Sequence, residues 1–353
     1  MSVDPALLTR SIDALASGQD LSADATAAVL AAIMAGEATE VQIAAFLIAL
    51  RTKGETVPEL AGLARTMREL AEPVRTDRPH LLDTAGTGGG PRTFNVSTTA
   101  ALIAAGAGCT VAKHGNRSAT GLSGSADVLE ALGARIDLAP EAVARCIAEV
   151  GFGFMFAPAH HRATRFVVPV RRELGVRTIF NFLGPLTNPA GATRQLIGVS
   201  DPGYLETMAG ALALLGTEHA LLVCGPDGVD ELSLAGPTRV FEVTPQGIAE
   251  YEIAPDQVGL APAPAHAIPG GDPATNADIT RRIFAGDPSV GRPARDMATL
   301  NAGAAIYAAG AAGDLAAGVA RAQATIDSGA AEAALHGFVA ATQRLASADT
   351  AVR

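Results

Sequence analysis

The chain has 353 residues, of which 48% are hydrophobic and 18% are charged, and it contains 38 glycines and 21 prolines. This composition excludes an intrinsically disordered chain and a collagen-like chain, and the length predicts about two domains. The net charge of -10 argues against nucleic acid and anionic membranes as partners. Three widely separated cysteines lack the spacing of a metal site, which predicts buried thiols in a reducing compartment.

The amino-terminal residues and the most apolar stretch indicate where the protein resides. The first residues contain no basic segment followed by an apolar one, so we predict no signal peptide. Residues 300–320 are the most apolar stretch, but they are mostly alanine and glycine and include Asp314. This pattern predicts core helices rather than a membrane span, and therefore a cytoplasmic protein.

Residues 1–72 carry only helical patterns. Thr39 with Gln42, and Thr56 with Glu59, each fit a capping box at the start of a helix. Apolar residues then repeat at helical spacing. The segment therefore predicts a small N-terminal helical domain whose apolar stripes pack on the rest of the chain or on a second copy.

From residue 80 onward, short apolar runs alternate with helical stretches that glycines separate. They predict strands at 81–82, 110–112 and 220–223, and helices at 97–105, 126–132 and 276–284. This alternation predicts an α/β domain with a mainly parallel central sheet flanked by helices. In such sheets ligands bind beyond the carboxyl ends of the strands, where three polar loops of this sequence fall.

The first polar loop is rich in glycine and leads into a helix. It runs from Asp83 to Gly90 and reaches the helix through Thr93–Thr99. Its backbone N–H groups are able to converge on an anion, and the helix N-terminus adds partial positive charge. We expect Asn95 or Ser97 to cap this helix. The loop matches neither GxGxxG nor the Walker A pattern, so by itself it does not distinguish a phosphate site from a structural turn.

The second loop spans residues 113–125 and contains Lys113, one of only two lysines in the chain. It concentrates cations, amides and hydroxyls at a strand end. Alone it also fits a solvated loop in which His114 bonds to the backbone. Together, the first two loops predict a site for a ligand with several phosphates.

The third loop, Asp227–Glu231, and a later arginine-rich segment each allow two interpretations. Adjacent acids near phosphate loops predict a magnesium site, whereas alone they fit an exposed acidic turn. The arginines of residues 170–189 either hold a planar carboxylate or lie on a helix surface. His160 and His161 are expected in a polar loop that lines or flanks the cleft, without a metal role.

The sequence resembles the anthranilate phosphoribosyltransferase family over nearly its whole length. The resemblance rests on GTGG at 86–89, FNVST at 94–98, KHGNRS at 113–118, SGSADVLEALG at 123–133, VRRELGVRTIFNFLGPLTNP at 170–189 and DGVDELSLAGPTRV at 227–240. It implies a nucleoside phosphorylase-like fold. The helical domain would span residues 1–72, with a returning segment at about 170–190, and the α/β domain would span 73–353.

The resemblance also implies an activity. The 5-phosphoribosyl group of phosphoribosyl pyrophosphate, the donor, passes to the amine of anthranilate, the acceptor, in a step of tryptophan biosynthesis. The products are N-(5-phosphoribosyl)anthranilate and pyrophosphate. The resemblance further implies Mg²⁺ as cofactor and a homodimer joined through the helical domains.

Site residues follow from the resemblance position by position. The implied donor-binding residues are Gly86, Gly89, Gly90, Thr93, Asn95, Val96, Ser97, Thr98, Lys113, Gly115, Asn116, Arg117, Ser118, Ala119, Thr120, Gly121 and Ser125. The implied anthranilate-binding residues are Gly86, His114, Asn116 and Arg171, and the implied magnesium ligands are Ser97, Asp230 and Glu231. Lys113 and His114 are the candidate catalytic residues, Lys113 stabilising the departing charge and His114 lining the acceptor pocket. Because an aromatic amine is already neutral at pH 7, we assign no general base.

The sequence departs from the family pattern at the first loop. Gly90 replaces the usual aspartate, and the loop from Gly86 to Asn95 is one residue shorter. Gly121 stands where serine is common, and Arg162 stands where proline is usual. Two consequences stay open: weaker magnesium or donor binding, or compensation by Arg92 through a direct phosphate contact.

Two other functions would make different demands on the sequence. A pyrimidine-nucleoside phosphorylase of the same fold would use phosphate in place of magnesium pyrophosphate, and the acidic pair Asp230–Glu231 argues against it. A non-catalytic family member that binds nucleic acid would need a basic surface, whereas the net charge is -10.

Overall fold

The structure, a computed structural model, describes residues 6–118 and 121–352. Four helices come first: α1 Leu7–Ala16, α2 Ala23–Met34, α3 Glu40–Lys53 and α4 Val57–Glu69. The predicted capping box at α3 is complete, with Gln42 N donating to Thr39 Oγ1 at 3.2 Å and Thr39 N to Gln42 Oε1 at 3.0 Å. At α4 the Glu59 carboxylate accepts from Thr56 N at 2.8 Å. These bonds satisfy backbone donors that a helix start leaves without partners.

A seven-stranded sheet follows in the described chain. Its strands are β1 Leu82–Gly86, β2 Val111–Gly115, β3 Phe152–Phe156, β4 Arg194–Gly198, β5 His219–Cys224, β6 Thr238–Thr244 and β7 Gly247–Ile253. Their order is β3-β2-β1-β4-β5-β6-β7. The five strands from β3 to β5 pair in parallel, whereas β6 pairs antiparallel with both β5 and β7. The carboxyl ends of β1, β2, β4 and β5 therefore meet at one edge. The predicted mainly parallel sheet is confirmed.

Helices cover both faces of this sheet. They are α5 Val96–Gly106, α6 Ser125–Ala131, α7 Pro140–Val150, α8 Ala157–His160, α9 Val168–Leu174, α10 Phe180–Leu183, α11 Leu205–Leu214, α12 Pro273–Phe284, α13 Arg292–Ala308, α14 Leu315–Asp327 and α15 Ala330–Val352. None of the helices described is long and apolar enough to cross a membrane. The three cysteines, Cys109, Cys146 and Cys224, are buried free thiols, as predicted.

Alternating side chains divide the core into two layers. Leu221 and Val223 of β5 belong to the apolar cluster with α5, α12, α13 and α14, whereas Leu222 faces the cluster with α1–α4 and α11. This division follows from the period of two along a strand. Val170 and Phe182 also lie in the second cluster, so part of the segment 170–190 packs with the N-terminal helices and the sheet. The apolar stripes of those helices thus pack on the rest of the chain.

Two predicted strands were too short. Strand β1 extends to Gly86, and β2 extends through Lys113 and His114 to Gly115. The prediction that Lys113 and His114 lie in a loop is wrong, because both residues pair with β3 in parallel register and are buried. A lysine and a histidine are unusual in a buried strand, and the site described next explains how their polar atoms are satisfied.

Candidate active site

The acidic turn of the third loop lies directly on glycines of the sheet edge. A Cβ atom on Gly198 would overlap the Asp230 carbonyl oxygen, and one on Gly90 would lie 2.6 Å from Gly228 O. The Asp230 carboxylate accepts from Gly88 N at 2.8 Å. The first and third loops therefore touch through backbone, an approach that only glycine permits.

Two residues from other segments fix the first loop. Arg177 Nη2 lies 3.2 Å from Gly88 O and 3.1 Å from Ser200 Oγ. Ser200 Oγ also donates to Gly88 O at 2.7 Å, and Ser200 N donates to Thr87 Oγ1 at 3.1 Å. Gly89 lies beside the Arg177 guanidinium. The loop is thus held by Arg177 and Ser200 in addition to the acidic turn, through contacts that the sequence does not indicate.

The first loop leads into α5, whose first turn carries several candidate donor-binding residues. Val96 begins the helix and is buried, Ser97 and Thr98 follow, and Thr93 is half-buried before it. The Thr98 hydroxyl is buried and has no hydrogen-bond partner in the described structure. The backbone N–H groups of such a first turn have no acceptor within the helix. Here Val96 N donates to Phe94 O at 2.7 Å and Ser97 N–H donates to the Glu231 carboxylate, so an anion would bind chiefly at the amide of Thr98.

Asn95 precedes α5, but the expectation that its side chain or that of Ser97 caps the helix was wrong. No side-chain capping bond forms. The Asn95 amide instead bonds to Ser123 and Asn276. Ser97 lies within the helix, and its Oγ is 3.4 Å from Lys113 Nζ. The position before a helix predicts a cap from sequence, whereas here tertiary partners occupy the amide.

Lys113 is a buried cation beneath the first loop. Its Nζ donates to the carbonyl oxygen of Thr84 and lies 3.2 Å from Thr84 Oγ1. Burial lowers the pKa of the Lys113 ammonium to about 8, although the charges of Asp83 and Glu231 favour the protonated form. Lys113 therefore stays mostly cationic at pH 7, in a place where water screens its charge weakly.

Asp83 is a buried carboxylate on the neighbouring strand β1, and its charge favours the protonated form of Lys113. It accepts from His114 N at 3.0 Å and from Asn188 Nδ2 at 2.8 Å. Burial raises the pKa of Asp83, while Lys113 and the Asn188 amide act in the opposite direction. Asp83 and Asn188 thus fix the backbone between Lys113 and His114.

The acidic pair brings the Glu231 carboxylate to Ser97 N–H and the Asp230 carboxylate to Gly88 N. Burial and the charge of Asp230 raise the pKa of Glu231 well above its usual value, while Ser97 N–H and Lys113 favour its ionised form. A divalent cation would relieve this repulsion, and the available oxygens suit Mg²⁺. Asp227, the first acid of the same loop, is not part of this pair: its carboxylate accepts from Ser233 Oγ at 3.1 Å. No cluster of three His, Cys, Asp or Glu side chains suited to a metal occurs among the described residues.

His114 is a buried, neutral imidazole. Its Nδ1 lies 3.2 Å from Gly184 O, and its ring centre lies 5.0 Å from that of His161. Burial, and next the neighbouring His161, lower the pKa of His114 well below its usual value. Since a carbonyl only accepts, Nδ1 carries the proton and Nε2 is an acceptor. That Nε2 atom has no hydrogen-bond partner in the part of the chain described.

The prediction that His160 and His161 lie in a polar loop is wrong. His160 ends α8, and both side chains are buried. Burial lowers the pKa of each ring, that of His161 to about 4. The apolar surroundings of β3 and α8 therefore keep the pair neutral next to His114.

The second loop is braced by α6. Arg117 is paired with Asp127 at 2.8 Å, and Asp127 also accepts from Ser118 N at 3.1 Å and Gly124 N at 2.8 Å. These bonds set the course of the loop around the start of α6.

The remaining candidate residues of this loop are placed as follows. Gly115 ends β2, Asn116 is exposed and accepts from Arg117 N, Gly121 N donates to Ser118 Oγ, and Ser125 begins α6. Ala119 and Thr120 lie outside the described residues.

Arg171 on α9 is half-buried. Its Nη2 lies 3.4 Å from Asn181 Oδ1, and its guanidinium lies 5.4 Å from the centre of the Phe180 ring. Asn181 and Gly184 belong to α10 and the residue after it, so Arg171 and His114 contact the same short segment. Arg172, by contrast, is exposed, and so is Arg92 on the first loop.

Comparisons with known proteins agree with this architecture. Residues 9–71 match the family described as "Glycosyl transferase family, helical bundle domain", and residues 78–332 match "Glycosyl transferase family, a/b domain". An anthranilate phosphoribosyltransferase of Symbiobacterium thermophilum is 52% identical over 332 residues, which cover 94% of this chain and 96% of that protein. One from Roseiflexus sp. strain RS-1 is 54% identical over 91% of this chain and 94% of that protein.

Solved structures are similar as well. The crystal structure of anthranilate phosphoribosyltransferase from Thermus thermophilus has a TM-score of 0.89 and 47% identity, over 94% of this chain and 99% of that one. The Saccharomyces cerevisiae protein, solved in complex with PRPP and Mg, has a TM-score of 0.89 and 27% identity, over 97% and 99%. These findings confirm the resemblance, the fold class and the enzyme class, and favour neither alternative function. The chain belongs to the anthranilate phosphoribosyltransferase family.

Proposed function

We propose that this protein transfers the 5-phosphoribosyl group from phosphoribosyl pyrophosphate to the amine of anthranilate, with Mg²⁺ as cofactor. The proposal rests on one observation: a glycine loop, a buried lysine and an acidic pair lie together at one edge of the sheet. Together they offer amide donors, a cation and metal-binding oxygens to a ligand with several phosphates.

The donor would lie against the first loop and the start of α5. Amides of the loop and of the first helical turn would bind phosphate oxygens, with the hydroxyls of Ser97 and Thr98 beside them. We assign the further donor contacts to Gly86, Gly89, Gly90, Thr93, Asn95, Val96, Gly115, Asn116, Arg117, Ser118, Ala119, Thr120, Gly121 and Ser125. Compensation by Arg92 for the missing aspartate stays a prediction.

The bond from the anomeric carbon to pyrophosphate breaks with negative charge growing on the leaving group. Lys113, cationic and poorly screened, would stabilise that charge without having to reorganise. Ser97, Asp230 and Glu231 would hold Mg²⁺, directly or through water. When bound, Mg²⁺ supplies positive charge to the pyrophosphate oxygens.

The acceptor would lie between the second loop and residues 171–184. Arg171 would pair with the anthranilate carboxylate, with Gly86, Asn116 and His114 lining the rest of the pocket. Because the amine is neutral at pH 7, positioning it near the anomeric carbon accounts for the attack without a general base.

The location, the domain bounds and the oligomeric state are further parts of the proposal. We infer a cytoplasmic protein in which residues 1–72, with the segment 170–190, form the helical domain, and residues 73–353 form the α/β domain. We further infer that two copies join through the helical domains. Val41 on α3 is apolar and 78% exposed, which supports an apolar contact at this surface.

The function is tested by the loss of anthranilate fluorescence on mixing the protein with donor and Mg²⁺. We expect loss with Mg²⁺ and none with EDTA, because the acidic pair and the pyrophosphate need the cation between them. No loss from folded protein would contradict the proposal. Phosphorolysis of pyrimidine nucleosides by the same preparation would favour the phosphorylase instead.

The absence of a general base predicts the behaviour of His114→Ala. We expect the anthranilate KM to rise about tenfold and kcat to fall less than that, because His114 shapes the pocket. His336→Ala, an exposed histidine on α15, is the matched control and should change neither constant. Loss of a general base costs roughly 100-fold or more in kcat. A fall of that size with an unchanged KM would show that Nε2 takes the amine proton.

The close approach at Gly90 predicts that restoring the family's aspartate is harmful here. In Gly90→Asp the new Cβ would collide with Gly228 O and push the first loop off the acidic turn, so we expect the donor KM to rise at least about tenfold. Gly313→Asp adds the same charge in open space and is the control. An unchanged or lower donor KM in Gly90→Asp would show that the loop accommodates the side chain.

A further inference from the structure

Asn276, on α12, reaches the first loop across 181 residues of sequence. Its Nδ2 donates to Asn95 Oδ1 at 2.8 Å, and its Oδ1 accepts from Gly271 N at 2.7 Å. The residue is 1% exposed, so these protein partners take the place of water. Neither its position nor its neighbours in sequence indicate a role at the site.

The bonds of Asn95 leave its amide one orientation. Asn95 Oδ1 accepts from both Asn276 Nδ2 and Ser123 Oγ, each at 2.8 Å, which uses both acceptor positions of that oxygen. Asn95 Nδ2 donates one hydrogen to Ser123 O at 3.1 Å. The second hydrogen of Nδ2 stays available to a ligand at the loop.

The same bonds join three separate chain segments. Asn95 belongs to the first loop, Ser123 to the second, and Asn276 to the start of α12. The segment before α12 packs tightly as well, because a Cβ atom on Gly270 would overlap Thr93 O. The first and second loops, which are the proposed donor site, are therefore tied to a third element that touches both through Asn95.

We propose that Asn276 is a positioning residue for donor binding, acting through the Asn95 amide. This inference rests on the proposed function, in which Asn95 contacts phosphoribosyl pyrophosphate. Without the Asn276 donor, the Asn95 amide is free to turn and the two loops lose their common anchor. Within the folded enzyme, the cost falls on donor binding and much less on the chemical step.

The experiment measures steady-state kinetics and melting temperature for Asn276→Ala and Thr280→Val. Thr280 lies one turn further along α12, is also 1% exposed, and its Oγ1 lies 2.8 Å from Thr99 Oγ1 of α5. Thr280 Oγ1 also donates to Asn276 O at 3.0 Å. Thr280→Val therefore removes a bond between α12 and α5, while the side-chain bonds of Asn95 to Asn276 and Ser123 stay in place. We expect Asn276→Ala to raise the donor KM about tenfold with kcat and the anthranilate KM within about twofold. Thr280→Val should leave all three constants unchanged, whatever it does to the melting temperature.

A double-mutant cycle with Asn95→Ala shows whether Asn276 acts through Asn95. We expect Asn95→Ala/Asn276→Ala to raise the donor KM no more than Asn95→Ala alone, because the second change removes a partner of an absent amide. Independent, multiplying effects would overturn the proposal. So would an unchanged donor KM in Asn276→Ala.

A second variant and a second readout keep the test decisive. Asn276→Asp keeps the acceptor for Gly271 N and loses the donor to Asn95, so it should raise the donor KM even if Asn276→Ala fails to fold. Calorimetric titration of phosphoribosyl pyrophosphate with Mg²⁺ measures donor binding without turnover. Wild-type protein that binds donor but does not consume anthranilate would refute the proposed function, and weaker binding by the Asn276 variants would still uphold this inference.

Discussion

The site depends on the contact between the acidic turn and the glycines at the carboxyl edge of the sheet. Asp230 lies against Gly198 of β4, so close that a side chain on Gly198 is excluded, and its carboxylate accepts from Gly88 N of the first loop. This contact fixes two carboxylates beside the start of α5. Burial and the charge of Asp230 raise the pKa of Glu231, so two ionised carboxylates are unfavourable here without a cation. A divalent cation bound between the pair and a phosphate would supply the missing charge.

Buried charge of both signs then defines the chemistry. The charges of Asp83 and Glu231 both favour the protonated form of Lys113, and burial makes each of these interactions stronger than at a surface. His114, next along the same strand, is kept neutral by burial and by His161. Adjacent residues of one strand thus differ in charge at pH 7, since their side chains point to opposite faces of the sheet. The cation suits a departing anion, and the neutral ring suits an aromatic acceptor.

Much of this arrangement is predictable from the sequence, and the remainder has a physical reason for being hidden. The parallel sheet, the three loops at one edge and the acidic pair follow from local pattern, because each depends on neighbouring residues. Lys113 and His114 were wrongly placed in a loop, since polar residues argue against a buried strand until their tertiary partners are known. Ser200 and Asn276 reach the site from distant segments, and no local signal marks them. Asp83 was detectable as an acid at the end of an apolar run.

The most direct measurement is calorimetric titration of phosphoribosyl pyrophosphate into the protein with Mg²⁺ and with EDTA, repeated for Glu231→Gln. We expect donor affinity to be at least about tenfold higher with Mg²⁺ in the wild-type protein, because the cation joins the acidic pair to the pyrophosphate. In Glu231→Gln most of that difference should disappear. Equal affinity with Mg²⁺ and with EDTA in the wild-type protein would contradict the assignment of the acidic turn as the metal-binding half of the site.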